Sequence, residues 1–92
     1  MGYYTHFEIE TINDNDGSAK ADLITTSGYT WDDADLYDTK WYDWATHLAS
    51  SSKRFPDVTF VLSGVGEEHP DMWKAWARGG RVEQVEIGRA HV

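Results

Sequence analysis

The stretch Thr39–Val65, TKWYDWATHLASSSKRFPDVTFVLSGV, decides the fold, because it reads in one pass as an amphipathic helix, a tight link and a buried strand. Trp41, Trp44, Ala45, Leu48 and Phe55 form an apolar helical stripe, with Thr46, His47, Ser50, Ser51 and Lys53 on the other side. Asp43 suits the N-cap or first turn, and Lys53 with Arg54 complements the carbonyl end of the helix dipole. Pro56 stops the helix, because the residue before a proline is pushed out of the helical region. In the VTFVLSGV that follows, Val58, Phe60 and Leu62 share one face, and Thr59, Val61 and Val65 share the other. A strand apolar on both faces is expected in the middle of a sheet.

Upstream, Tyr3 to Ile12 alternates as a half-buried strand. Tyr3, Thr5, Phe7, Ile9 and Thr11 make the expected core face, since Glu8 and Glu10 lie on the other with His6. Asn13-Asp14-Asn15-Asp16-Gly17 is a turn cluster. It fails as a calcium loop of the EF-hand kind, because Ile12 and Leu23 fall where carboxylate ligands are required. Ser18–Ser27 predicts a short helix with Ala19, Leu23 and Thr26 inward, Asp16 or Ser18 as N-cap and Gly28 as stop. Tyr29, Thr30 and Trp31 read as a brief strand or a packed loop. Asp32, Asp33, Asp35 and Asp38 then read as a solvated acidic connector.

Downstream, Gly64 to Asp71 is turn-rich. MWKAWAR and RVEQVEI flank Gly79-Gly80, a strong hairpin signal, although Met72, Trp73, Trp76 and Ala77 also fit a helical stripe. The hairpin is the better expectation, since Val, Ile and Trp are ordinary strand material. It puts Trp73 and Trp76 on opposite faces. Arg89 to Val92 reads as a frayed tail.

The 92 residues are expected to form a single domain, 1–92, with one core. Without cysteine there is no disulfide framework and no thiolate chemistry, and the chain suits a reducing cytoplasm. The N-terminal MGYYTHFEIE does not read as a signal peptide and no apolar run is long enough to span a membrane, so neither secretion nor membrane spanning is expected. The net charge of −8 is lopsided: residues 1–46 hold ten acids against Lys20 and Lys40, while residues 47–92 balance six against six. That field disfavours direct binding to nucleic acid or anionic membrane. Five tryptophans, five tyrosines and three phenylalanines exclude a disordered chain.

The ordered set GYYTHFEIE, TKWYD (Thr39–Asp43), RFPDVTFVLSGVGEE (Arg54–Glu68) and DMWKAW followed by GG resembles a family of small uncharacterised proteins from tailed bacteriophages and mobile elements. The resemblance covers most of the chain outside 13–38. It implies an α+β fold, a ferredoxin-like two-layer sandwich akin to the plasmid-borne YubB-type domain. A mostly antiparallel sheet would carry two helices on one face and end in a C-terminal hairpin. The implication reaches fold and origin, and no functional residue is carried over.

The sequence contains no Walker lysine, HExxH, G-x-S-x-G or dinucleotide fingerprint, and neither a catalytic residue nor a cofactor is assigned. Glu67, Glu68, His69 and Asp71 supply metal-ligand and acid–base residue types, but adjacent loop residues rarely converge without a second element. His47 reads as a surface hydrogen-bonding group, and His6 as half of a cross-strand polar pair. Five tryptophans exceed what so small a core encloses, so some are expected at an interface. The candidate partner-binding residues are Trp73, Trp76, Trp31, Asp32, Asp33 and Asp35, with Trp44 behind them. The expected function is a phage-encoded, non-enzymatic accessory protein that binds a host protein in the infected cytoplasm, with homodimerisation open. An acidic nucleic-acid mimic and a small metal-dependent enzyme built on Glu67–Asp71 are the alternatives.

Overall fold

The computed structural model describes residues 5–66 and 72–86. Tyr3, Tyr4, the Glu67–Asp71 loop, Ile87 and the tail from Arg89 lie outside the described residues. The elements run β1 (Thr5–Ile12), α1 (Ser18–Ser27), β2 (Asp35–Thr39), α2 (Trp44–Arg54), β3 (Thr59–Gly66), β4 (Met72–Arg78) and β5 (Arg81–Glu86). The strands make one sheet in the order β2-β1-β3-β4-β5, and every ladder is antiparallel. Since β2 and β3 both oppose β1, they run parallel to each other. Helix α2 therefore crosses between two parallel strands with β1 inserted between them. The β4–β5 pairing of the C-terminal hairpin and the central place of β3 match the sequence pattern.

Alternation along the strands builds the core. Phe7 and Ile9, Phe60 and Leu62, and Ala75 and Ala77 point to one side, where they meet Leu23 of α1 and Leu48 of α2. Burying each large side chain contributes about 1.5–3 kcal/mol. Phe60 pairs with Ala77 and Leu62 with Ala75, so large residues stand beside small ones and leave room for α2 over β4. Both helices thus cover one face of the sheet, giving an α+β domain of two layers. Among the described residues, the other face has no helix on it.

Helix α2 starts at Trp44 behind the expected N-cap Asp43, so Trp41 of the sequence stripe falls before it. Trp41 turns into the core, 3% exposed, donating its indole N–H to His47 Nδ1 at 2.9 Å. The helix buries Leu48, Ser51 and Ser52 and half-buries Trp44, with Phe55 half-buried just past its end and Ala45 exposed. Ser51, read as polar surface, is fully buried because its hydroxyl donates to Asp22 Oδ2 at 2.8 Å. Ser52 is buried too. Its Oγ donates to the Ala49 carbonyl at 3.0 Å and accepts the Gly80 N–H at 2.8 Å, which docks the hairpin turn on the helix. Gly79 (φ 61) and Gly80 (φ 90) supply the paired left-handed residues of a tight two-residue hairpin loop.

Helix α1 keeps its expected bounds, but neither expected residue is its N-cap. Gly17 holds that position with φ 78, and the Asp14 carboxylate accepts the backbone N–H groups of Ala19 and Lys20 at 3.2 and 3.1 Å. Asp16 accepts from Ser18 N at 3.1 Å. Ser27 rather than Thr26 completes the buried face. The larger correction concerns the acidic connector, whose second half is an edge strand. Asp32 and Asp35 exchange backbone hydrogen bonds at 2.8 and 3.0 Å around Asp33 (φ 60), and this turn delivers Leu36 into the core opposite Phe7. Charged residues suit an exposed edge because they discourage pairing with other chains. Tyr29 to Trp31 forms a packed loop.

Candidate protein-interaction surface

The uncovered face of the sheet is built by the residues between those of the core. His6, Glu8, Glu10 and Ile12 come from β1, with Thr59, Val61, Ser63 and Val65 from β3. Met72, Lys74, Trp76 and Arg78 follow from β4, and Arg81, Glu83 and Val85 from β5. The register sets them in rows: His6–Val65–Met72, Glu8–Ser63–Lys74–Val85, and Glu10–Val61–Trp76–Glu83. Asp35 of β2 extends the second row beyond Glu8.

Most of the exposed large apolar side chains lie on this face: Ile12, Val65, Met72, Trp76 and Val85, with Trp76 38% exposed, beside Tyr37 of β2. Its charges are segregated. Glu8, Glu10 and Asp35 occupy the β1–β2 side, while Lys74, Arg78 and Arg81 occupy the β4–β5 side with Glu83. Arg78 and Arg81 stand directly opposite each other, a like-charge pairing that costs stability unless another carboxylate approaches. Arg78 Nε donates to the Pro56 carbonyl at 3.3 Å. A depression of about 250 Å³ is lined by Glu8, Glu10, Ser63, Val65, Met72 and Lys74 among others, and one of about 350 Å³ by Thr59, Trp76, Arg78, Arg81 and Glu83.

At the acidic edge, His6 Nε2 lies 2.9 Å from Asp35 Oδ1, and its ring stacks on Tyr37 at 4.5 Å and 17°. The Asp35 charge, then partial burial, then Asp32 and Glu8 hold the Tyr37 hydroxyl above its ordinary pKa, because a phenolate there would face carboxylates. The expected polar partner of His6 is therefore Asp35, across the β1–β2 ladder.

The candidate residues separate. Trp76 and Asp35 reach the uncovered face. Trp73 points to the helix side, stacked on Trp44 at 4.5 Å and set edge-on to Phe7 at 6.0 Å. Trp31 is half-buried, donating its indole N–H to Ser27 Oγ at 3.0 Å and meeting Trp41 edge-on at 5.8 Å. Asp32 and Asp33 sit in the turn before β2, Asp33 within 3.9 Å of Lys20. Sequence reasoning missed Tyr37, Val65, Met72, Val85 and the cationic flank. The signal was present in strand parity, once β1, β3, β4 and β5 are aligned as one surface. Among the described residues, no three His, Asp or Glu side chains are placed to hold a metal ion. No helix among them is long and apolar enough to cross a membrane.

Comparison with protein-family models, curated proteins and solved structures finds no significant match to this chain.

Proposed function

We propose that this chain is a phage-encoded, non-enzymatic accessory protein that binds a host protein in the infected bacterial cytoplasm, using the uncovered face of its sheet. The observation that carries the proposal is the exposed apolar group of Val65, Met72 and Trp76, which lies across β3 from the acids of β1 and is interleaved with Lys74 and Arg78 on β4. Apolar centres with charged rims characterise contact surfaces, and tryptophan is the commonest anchor in them. The cationic flank also favours this reading over nucleic-acid mimicry, which needs a continuous acidic surface. The ferredoxin-like relationship is supported by the split β-α-β unit of β2, α2 and β3 around β1. The whole order, β-α-β-α-β-β-β, differs from the β-α-β-β-α-β of that fold.

Trp76 is the residue to test. Its replacement in Trp76→Ala is expected to weaken partner binding by about 30-fold, the effect of losing roughly 2 kcal/mol at an anchor. The fold should be retained, because Trp76 lies outside the helix-covered core. Affinity measured on a partner captured from host extract checks this. Wild-type affinity in both Trp76→Ala and Lys74→Glu would remove the uncovered face from the proposal.

A further inference from the structure

The uncovered face has a feature that few unrelated partners can match. It is divided along β3, the third strand of five, with Glu8, Glu10 and Asp35 on one side and Lys74, Arg78 and Arg81, beside Glu83, on the other. A partner must carry an apolar centre with the opposite order of charge across it. A second copy of this chain meets that requirement by symmetry.

We infer that the uncovered face is the contact of a two-fold homodimer, its axis lying parallel to β3 between the two stacked sheets. The inference rests on reading this face as a contact surface and names its occupant. Rotation about such an axis exchanges the two sides of the face and preserves the rows. Val65, 39% exposed, then meets its own copy at the axis, while Val61 is already buried beneath the face. Glu8 faces Lys74 of the second copy, and Glu10 faces Trp76 beside Arg78, each contact occurring twice. An axis perpendicular to the strands would set Glu8 and Glu10 against themselves, so charge selects the first arrangement.

Size is consistent with a modest affinity. Five strands about 4.8 Å apart and roughly seven residues long give a face of about 550 Å² per copy, or about 1,100 Å² in all, near the lower limit for a specific interface. The dimer is therefore expected to dissociate in the micromolar range, and a host protein using this face competes with self-association.

Sedimentation equilibrium across the micromolar range tests this with two charge-reversed chains, Glu8→Lys/Glu10→Lys and Lys74→Glu/Arg78→Glu. Each alone should dimerise at least about tenfold more weakly than wild type, since like charges then meet at both contacts. Mixing them should restore association as a heterodimer. An independent measurement uses Val65→Cys, which a short bismaleimide should cross-link to its own copy in good yield if Val65 lies at the axis. A wild-type chain monomeric throughout the range would overturn the inference. So would a dimer indifferent to the reversals, or one in which Val65→Cys resists cross-linking. Failure here leaves the host-binding proposal to its own test, because Trp76→Ala affinity for a captured partner is read separately from self-association.

Discussion

Gly64 is where one added methyl group should reveal how tightly the helix-facing side of the sheet is filled. A Cβ built on Gly64 runs into the Trp73 indole ring, with Trp73 Nε1 at 2.7 Å. Carbon atoms rest at about 3.5–4.0 Å, so the indole must retreat by about 1 Å. Stacking on Trp44 at 4.5 Å and the edge contact with Phe7 at 6.0 Å oppose that movement. Overpacking of this kind costs about 1–3 kcal/mol, so Gly64→Ala should destabilise by about 2 kcal/mol. For a domain of this size that lowers Tm by about 8–16 °C. Calorimetry on Gly64→Ala, Trp73→Leu and the double variant isolates the cause. In the Trp73→Leu background the added methyl meets a smaller neighbour, and its cost should fall below about 1 kcal/mol. An unchanged Tm for Gly64→Ala, or equal costs in the two backgrounds, would refute the assignment of Trp73 to structure.

Two further perturbations probe the acids. Asp14→Ala removes the carboxylate that accepts the Ala19 and Lys20 N–H groups and should cost about 1 kcal/mol, read as a lower urea midpoint. Asp22→Asn tests a pH effect of known sign. Burial acts to raise the Asp22 carboxyl, but hydrogen bonds from Arg54 and Ser51 and the Arg54 charge outweigh it and leave the pKa lowered. A lowered folded pKa means stability present above the unfolded value and lost as pH falls through the folded one. The variant should be about 1 kcal/mol less stable than wild type at neutral pH. That gap should close as pH drops below about 4, followed by urea midpoints at successive pH values.

What the sequence disclosed depended on whether a signal was local. The bounds of α1, the central place of β3 and the β4–β5 hairpin follow from periodicity, Pro56 and Gly79-Gly80, which act within a few residues. The strand β2 was hidden because its edge position rests on pairing with β1, and clustered aspartates suggest a loop when no partner is visible. Ser51 looked like surface because its hydroxyl is buried against Asp22, which is distant in sequence. Trp73 and Trp31 looked like contact residues for the same reason. Their neighbours Trp44, Trp41 and Gly64 come from other elements.

The acidic composition also changes meaning once its members are placed. Of the N-terminal acids, Asp14 and Asp16 serve the start of α1, Asp22 holds Arg54, Asp33 lies near Lys20 and Asp35 binds His6. These side chains stabilise turns, a helix end and an edge strand, so the net charge of −8 describes the whole surface and not the contact face. On that face Glu8, Glu10, Asp35 and Glu83 stand against Lys74, Arg78 and Arg81, a near balance with strong separation. At physiological salt, charges more than about 8 Å apart are largely screened. The pattern within the face therefore governs what docks there, and the total charge governs only the approach.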